Sequence, residues 1–136
     1  MRRFWLAAGM TAAIAAPAGA DIRIAHDTGG NVESYQRRVE AARFSGERVV
    51  IDGLCGSACT MWVTLPASQV CATARAILIF HTVTDSLTGA PAPRWNDALL
   101  KAYPPNIRRA ILIKSQGSGL WFDPIRLRGI DYLRRC

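Results

Sequence analysis

The chain has 136 residues, with seventeen Lys and Arg against ten Asp and Glu, a net charge of +7 and half of its residues hydrophobic. That length suits one domain around one core. Only two of the basic residues are Lys (Lys101 and Lys114), the arginines run largely in pairs such as Arg37/Arg38 and Arg134/Arg135, and no nucleic-acid motif accompanies them, which excludes a nucleic-acid partner.

Residues 1–20 have the three parts of a secretory signal. Arg2 and Arg3 supply the positive start, Phe4 to Ala16 is apolar, and Ala18-Gly19-Ala20 is a small-x-small cleavage site. The apolar run is shorter than the ~20 residues that span a bilayer, and no later run is longer, so the cleaved chain is expected to have no stable membrane span. The expected mature domain is 21–136, with fifteen basic and ten acidic residues, periplasmic or secreted. Its four cysteines, Cys55, Cys59, Cys71 and Cys136, read in that compartment as two disulfides, for which sequence alone allows three pairings. A zinc site built on Cys55 and Cys59 with His26 or His81 is the alternative, disfavoured by the C-x3-C spacing. No metal or cofactor is implied.

Ile22-Arg23-Ile24 alternates as a short strand. Asp27 to Asn31 is a turn with Asn31 as N-cap, and Val32, Tyr35, Val39 and Ala42 then recur at helical spacing until Ser45-Gly46. Val49-Val50-Ile51 is a buried-strand pattern, completing a βαβ unit with a parallel pair and a right-handed crossover. Gly53 to Gly56 is predicted as a tight turn and Ser57 to Leu65 as a short buried helix stopped before Pro66. Ala76 to His81 is an inner strand. Asp85 to Arg94 is an exposed loop, followed by helices over Asn96–Tyr103 and Asn106–Ser115. Asp123-Pro124 opens a last short helix ending at Gly129. There are no repeats or heptads.

The segment Gly53 to Cys59 carries the chemistry. It places Ser57 after a strand and a glycine turn, at a helix start, where free backbone N–H groups can receive an oxyanion. This is the physical logic of a nucleophile elbow, although the G-x-S-x-G pattern is absent. A serine needs a base, and His81 ends the strand that follows. His26, ending the first strand, is a weaker candidate. Taken alone, Ser57 is an ordinary N-cap and His81 an ordinary strand-end histidine; their joint placement gives the functional reading.

Ile22 to Val83 resembles the core of the Clp-type serine peptidases of the wider Clp/crotonase superfamily. The Gly-Gly turn DTGGNV (Asp27 to Val32), the serine segment IDGLCGSACT (Ile51 to Thr60) and the histidine strand ILIFH (Ile77 to His81) follow that family's order. The resemblance implies an α/β fold of ββα units, with a small, mainly parallel sheet flanked by helices. It implies Ser57 as nucleophile, His81 as general base, and the N–H groups of Gly30 and Ala58 as oxyanion hole. The acid falls at Arg128-Gly129-Ile130-Asp131, making Asp131 the expected third member, with Asp123 and Asp97 as competitors. Peptide or acyl substrates follow. Thr28 stands where the family usually has Pro and Thr82 where it has Gln, and the chain lacks the long helix that builds double rings, so a chambered ring with an ATPase partner is not expected; another oligomer is left open. A non-catalytic binding or adaptor domain on the same fold is the second reading. In such a fold Cys59–Cys71 would be neighbours, and Cys55–Cys136 would pin the C-terminal segment beside the site.

Overall fold

The computed structural model of the protein describes residues 21–117 and 124–136. The expected signal segment 1–20 and the predicted N-cap Asp123 lie outside those residues.

Strand β1 (Ile22–Asp27) leads through the Gly29-Gly30 turn into helix α1 (Val32–Ser45). The helix begins where expected because Asn31, in extended backbone, accepts the Ser34 N–H at 2.9 Å. It ends at Gly46, whose φ of 75° lets its N–H turn back to the Ala42 carbonyl. Tyr35, Val39 and Ala42 form the buried stripe.

Strand β2 (Val49–Gly56) is longer than its apolar run suggested. The stretch from Gly53 to Gly56 is strand rather than tight turn. β1 and β2 pair in parallel, with a register shift between Ile24 and His26 that sets two β2 residues against Ala25. Glycine is required at Gly53, since a Cβ there would stand 1.8 Å from the Ala25 carbonyl oxygen. The extra length carries the chain to Ser57 at the end of the sheet.

Ser57–Thr64 is a 3-10 helix, buried along most of its length, that ends before Pro66 as predicted. Strand β3 (Val70–Ala72) was not foreseen; it is three residues long and pairs with the first half of β2. Strand β4 (Ile77–Phe80) pairs in parallel with the second half of β2. Helices α2 (Pro93–Ala102) and α3 (Pro105–Lys114) each start at a proline, earlier than the apolar spacing indicated.

The predicted final helix is instead strand β5 (Ile125–Arg128), antiparallel to β4. Ile125 and Leu127 are buried while Arg126 and Arg128 are exposed. This period of two outweighs the Asp-Pro start signal. A 3-10 turn over Gly129–Asp131 follows.

The result is a mixed α/β fold. A small sheet of order β1-β2-β4-β5, parallel except at β5, is flanked by helices, and β3 adjoins β2 beside β4. One core joins Ile24, Val39, Ile51, Trp62, Leu78, Phe80, Ile107 and Leu127. None of the helices among the described residues is long and apolar enough to cross a membrane.

Two disulfides staple the fold, and their pairing differs from the expected one: Cys55 bonds Cys59 and Cys71 bonds Cys136. Cys55 and Cys59 both belong to the core. Cys71 pairs across with Val50, and both side chains lie outside that core, so a Cys59–Cys71 bond would have to cross the sheet. The C-terminal residues lie along β3 instead: Ala72 donates to the Arg134 carbonyl at 2.8 Å and accepts from Cys136 at 3.1 Å. With every cysteine oxidised, the zinc alternative loses its ligands.

Asp52, only 6% exposed, is compensated on all sides. Arg75 donates through Nη2 at 2.5 Å, Thr73 through its hydroxyl at 2.7 Å, and Arg23 through Nη1. The Arg75 hydrogen bonds, followed by Thr73, hold its carboxyl down at about 2.

Candidate active site

Ser57 sits where β2 ends and the 3-10 helix begins, with φ at 55°. Left-handed backbone at a serine costs free energy and persists only where the surroundings impose it. Cys55 and Cys59, bonded to each other, hold the chain on either side. From within the helix, Thr60 donates through Oγ1 to the Ser57 carbonyl at 2.7 Å, and the Tyr103 hydroxyl, at the end of α2, donates to Thr60 Oγ1 at 2.8 Å. The Thr60 proton is committed to that carbonyl, which fixes the direction of the Tyr103 bond. Burial pushes the Tyr103 hydroxyl up to about 12, so it stays a donor.

The Gly29-Gly30 turn packs directly on this elbow. Gly29 has φ of 90°, and a Cβ there would stand 2.6 Å from the Gly56 carbonyl oxygen and 2.7 Å from the Ala58 nitrogen. Only glycine keeps the space in front of the Ala58 N–H open. Asp27 shapes the turn: its Oδ1 accepts the Gly29 N–H at 2.8 Å, and its carboxylate receives the Tyr35 hydroxyl at 2.6 and 2.8 Å. Burial, then the Asp27 bond, raises the Tyr35 pKa. The Gly30 N–H has no acceptor among the described residues, and Ala58 supplies its N–H from the first turn of the 3-10 helix.

His81 follows β4. Its Nδ1 lies 2.9 Å from the Thr82 carbonyl oxygen. A carbonyl only accepts, so Nδ1 is the donor in this contact, and in the neutral imidazole Nε2 is then the free acceptor. The segment beyond is clamped by buried Asn96, which accepts the Val83 N–H at 2.8 Å and donates to the Val83 and Ala92 carbonyls, both at 2.9 Å.

These elements converge on one cavity of about 140 Å³, lined by Gly30, Ser57, Ala58 and His81. Its remaining wall mixes the aliphatic Val32, Val83, Leu99 and Leu100 with the polar Thr60, Thr84, Asn96 and Tyr103. Four of the five residues expected to act together are thus neighbours around one space. No hydrogen bond joins Ser57 to His81 in this state, a common condition in sites without substrate.

Asp131 is not among them. Gly129 donates to the Ala76 carbonyl at 2.8 Å, and Arg128 pairs with Ile77, so the turn bearing Asp131 stands at the start of β4. His81 follows the other end of that strand, roughly 13 Å away at the ~3.3 Å rise of a strand. Because β5 runs antiparallel, its end lies opposite β4's beginning. Asp97 is exposed and paired with Lys101 at 2.8 Å. His26 is exposed on β1 and does not line the cavity.

Sequence reasoning missed Asn96, Thr60 and Tyr103. A signal for two of them existed: Asn96, Leu99, Leu100 and Tyr103 recur at 3, 4 and 7 residues, an inward stripe that starts with an amide. Among the described residues no cluster of three His, Cys, Asp or Glu could hold a metal ion.

No protein-family model, curated protein or solved structure matches this chain.

Proposed function

We infer that the protein is an exported serine hydrolase acting on peptides or other acyl compounds, built on a Clp/crotonase-like core. One observation carries this reading: a left-handed Ser57 shares a cavity with His81 and with the two amides of Gly30 and Ala58. Each part answers a need of acyl transfer. His81 Nε2 takes the Ser57 hydroxyl proton as Oγ adds to the substrate carbonyl carbon. The carbonyl oxygen becomes an oxyanion that accepts from Gly30 and Ala58. Collapse expels the leaving group, which takes the proton from His81, and water then repeats the sequence to free the acid and Ser57. The Thr82 carbonyl does the orienting work usually given to a carboxylate: it fixes the tautomer and the ring plane. Export is supported by the signal-like residues 1–20 and by two disulfides.

A binding domain without catalysis is the second reading. It is favoured by the absence of any carboxylate among the described residues that line this cavity.

A fluorophosphonate probe on oxidised, folded protein separates the two. The hydrolase reading expects an adduct on Ser57, located by mass spectrometry and lost in Ser57→Ala and His81→Ala. Folded protein with both disulfides intact and no adduct would reject it in favour of the binding domain.

A further inference from the structure

A second cavity, of about 410 Å³, opens beside the first. The two share Gly30, Val32, Val83 and Thr84, so they form one continuous groove. Of these four shared residues, Gly30 is the one whose N–H faces an oxyanion in the hydrolase reading. A substrate whose carbonyl oxygen sits at Gly30 therefore has its next arm in the second cavity.

The charge there is opposite to that of the molecule. The chain carries +7 overall, yet the charged residues lining the second cavity are Glu33 and Asp85, both acidic. Among the described residues no Lys or Arg forms an ion pair with either. Asp85 is fixed in place, since its Oδ1 accepts the N–H groups of Leu87 at 3.0 Å and Thr88 at 2.9 Å. Those bonds also keep its carboxyl below the usual range, and so ionised. Trp95 adds an aromatic wall, a surface on which a guanidinium or ammonium group is attracted. The first cavity holds no acidic side chain, offers the aliphatic side chains of Val32, Val83, Leu99 and Leu100, and is large enough for one small side chain.

The geometry points to a substrate class: acyl compounds, peptides foremost, that place a small apolar group in the Ser57 cavity and a cationic side chain in the adjoining Glu33–Asp85–Trp95 cavity. This inference rests on the hydrolase reading for its reaction but not for its binding.

The test has two arms. In the first, peptidyl aminocoumarins that differ only in carrying arginine, citrulline or glutamate next to an alanine are compared by kcat/KM. The expected order is arginine, then citrulline, then glutamate, with about tenfold between the extremes, as for one partly screened charge pair. In the double variant Glu33→Gln, Asp85→Asn the arginine-to-citrulline ratio falls to about one, with both amides keeping the shape of the side chains they replace. In the second arm the matching arginine and glutamate peptide amides are titrated against Trp95 fluorescence, with Trp95→Phe as control. A response to the arginine peptide alone, without Ser57 labelling, upholds the groove and rejects the hydrolase reading. Ser57 labelling with equal kcat/KM for the three substrates and no charge preference at Trp95 overturns the groove alone.

Discussion

Cys55–Cys59 closes a separation of four residues around Ser57, whereas Cys71–Cys136 ties positions 65 apart and touches no part of the candidate site. A cross-link restricts the unfolded chain more as its loop grows. The long bridge therefore acts mainly on global stability. The short one has little unfolded-state entropy to remove, and its place on either side of a left-handed serine makes it a local brace. Equal numbers of sulfur atoms thus serve different ends, set by where they stand in the chain.

The comparison can be broken by removing each bridge in turn. The largest effect is expected for Cys71→Ala with Cys136→Ala, which should lower the free energy of unfolding in urea by about 4 kcal/mol. Ser57 labelling of the folded fraction should stay at the wild-type rate. Next comes Gly29→Ala, which places a Cβ within 2.6 Å of the Gly56 carbonyl oxygen at a φ of 90°. It should cost about 3 kcal/mol in the same urea titration and abolish labelling, a lesion at the site with both bridges intact. Cys55→Ala with Cys59→Ala should cost only about 2 kcal/mol. Its labelling rate should nevertheless fall about tenfold or more, because Ser57 loses its brace. If the long-bridge variant were the one to lose labelling, the division of roles would be wrong.

The last prediction is confined to acid. Asp52 has a folded pKa of about 2, below the unfolded carboxylate value near ~3.9. Its stabilisation is therefore fully present above about pH 4 and is lost as pH falls through about 2. Asp52→Asn should flatten the stability profile across that interval, read by thermal melts at successive pH values, and should leave the bridge variants' ranking intact.

What the sequence disclosed was mostly local. Asn31, Gly46 and the Val32-to-Ala42 stripe announce α1 because caps and helical periodicity act between residues a few positions apart. Ser57, Gly30, Ala58 and His81 were legible as a set because each follows or precedes a strand of a parallel unit, and such units bring their strand ends to one edge. The failures were long-range. Nothing within Cys71's neighbourhood says which face of the sheet it takes, and that face decides its partner. The final segment shows the same limit. Asp123-Pro124 gives a start signal, yet Ile125 and Leu127 pair with β4, and the antiparallel direction then carries Asp131 away from His81. Gly53 was read as a turn because its reason for being glycine, the Ala25 carbonyl, belongs to another strand.

The borders of the sheet have a consequence for how copies of the molecule behave together. β1 carries a register shift and an exposed Arg23, β5 is four residues long with Arg126 and Arg128 exposed, and β3 is covered by residues 134–136. An incoming strand laid along β5 meets two guanidinium groups, and a second β5 would set arginine against arginine. Among the described residues no long, flat, uncharged border is left for another strand to extend.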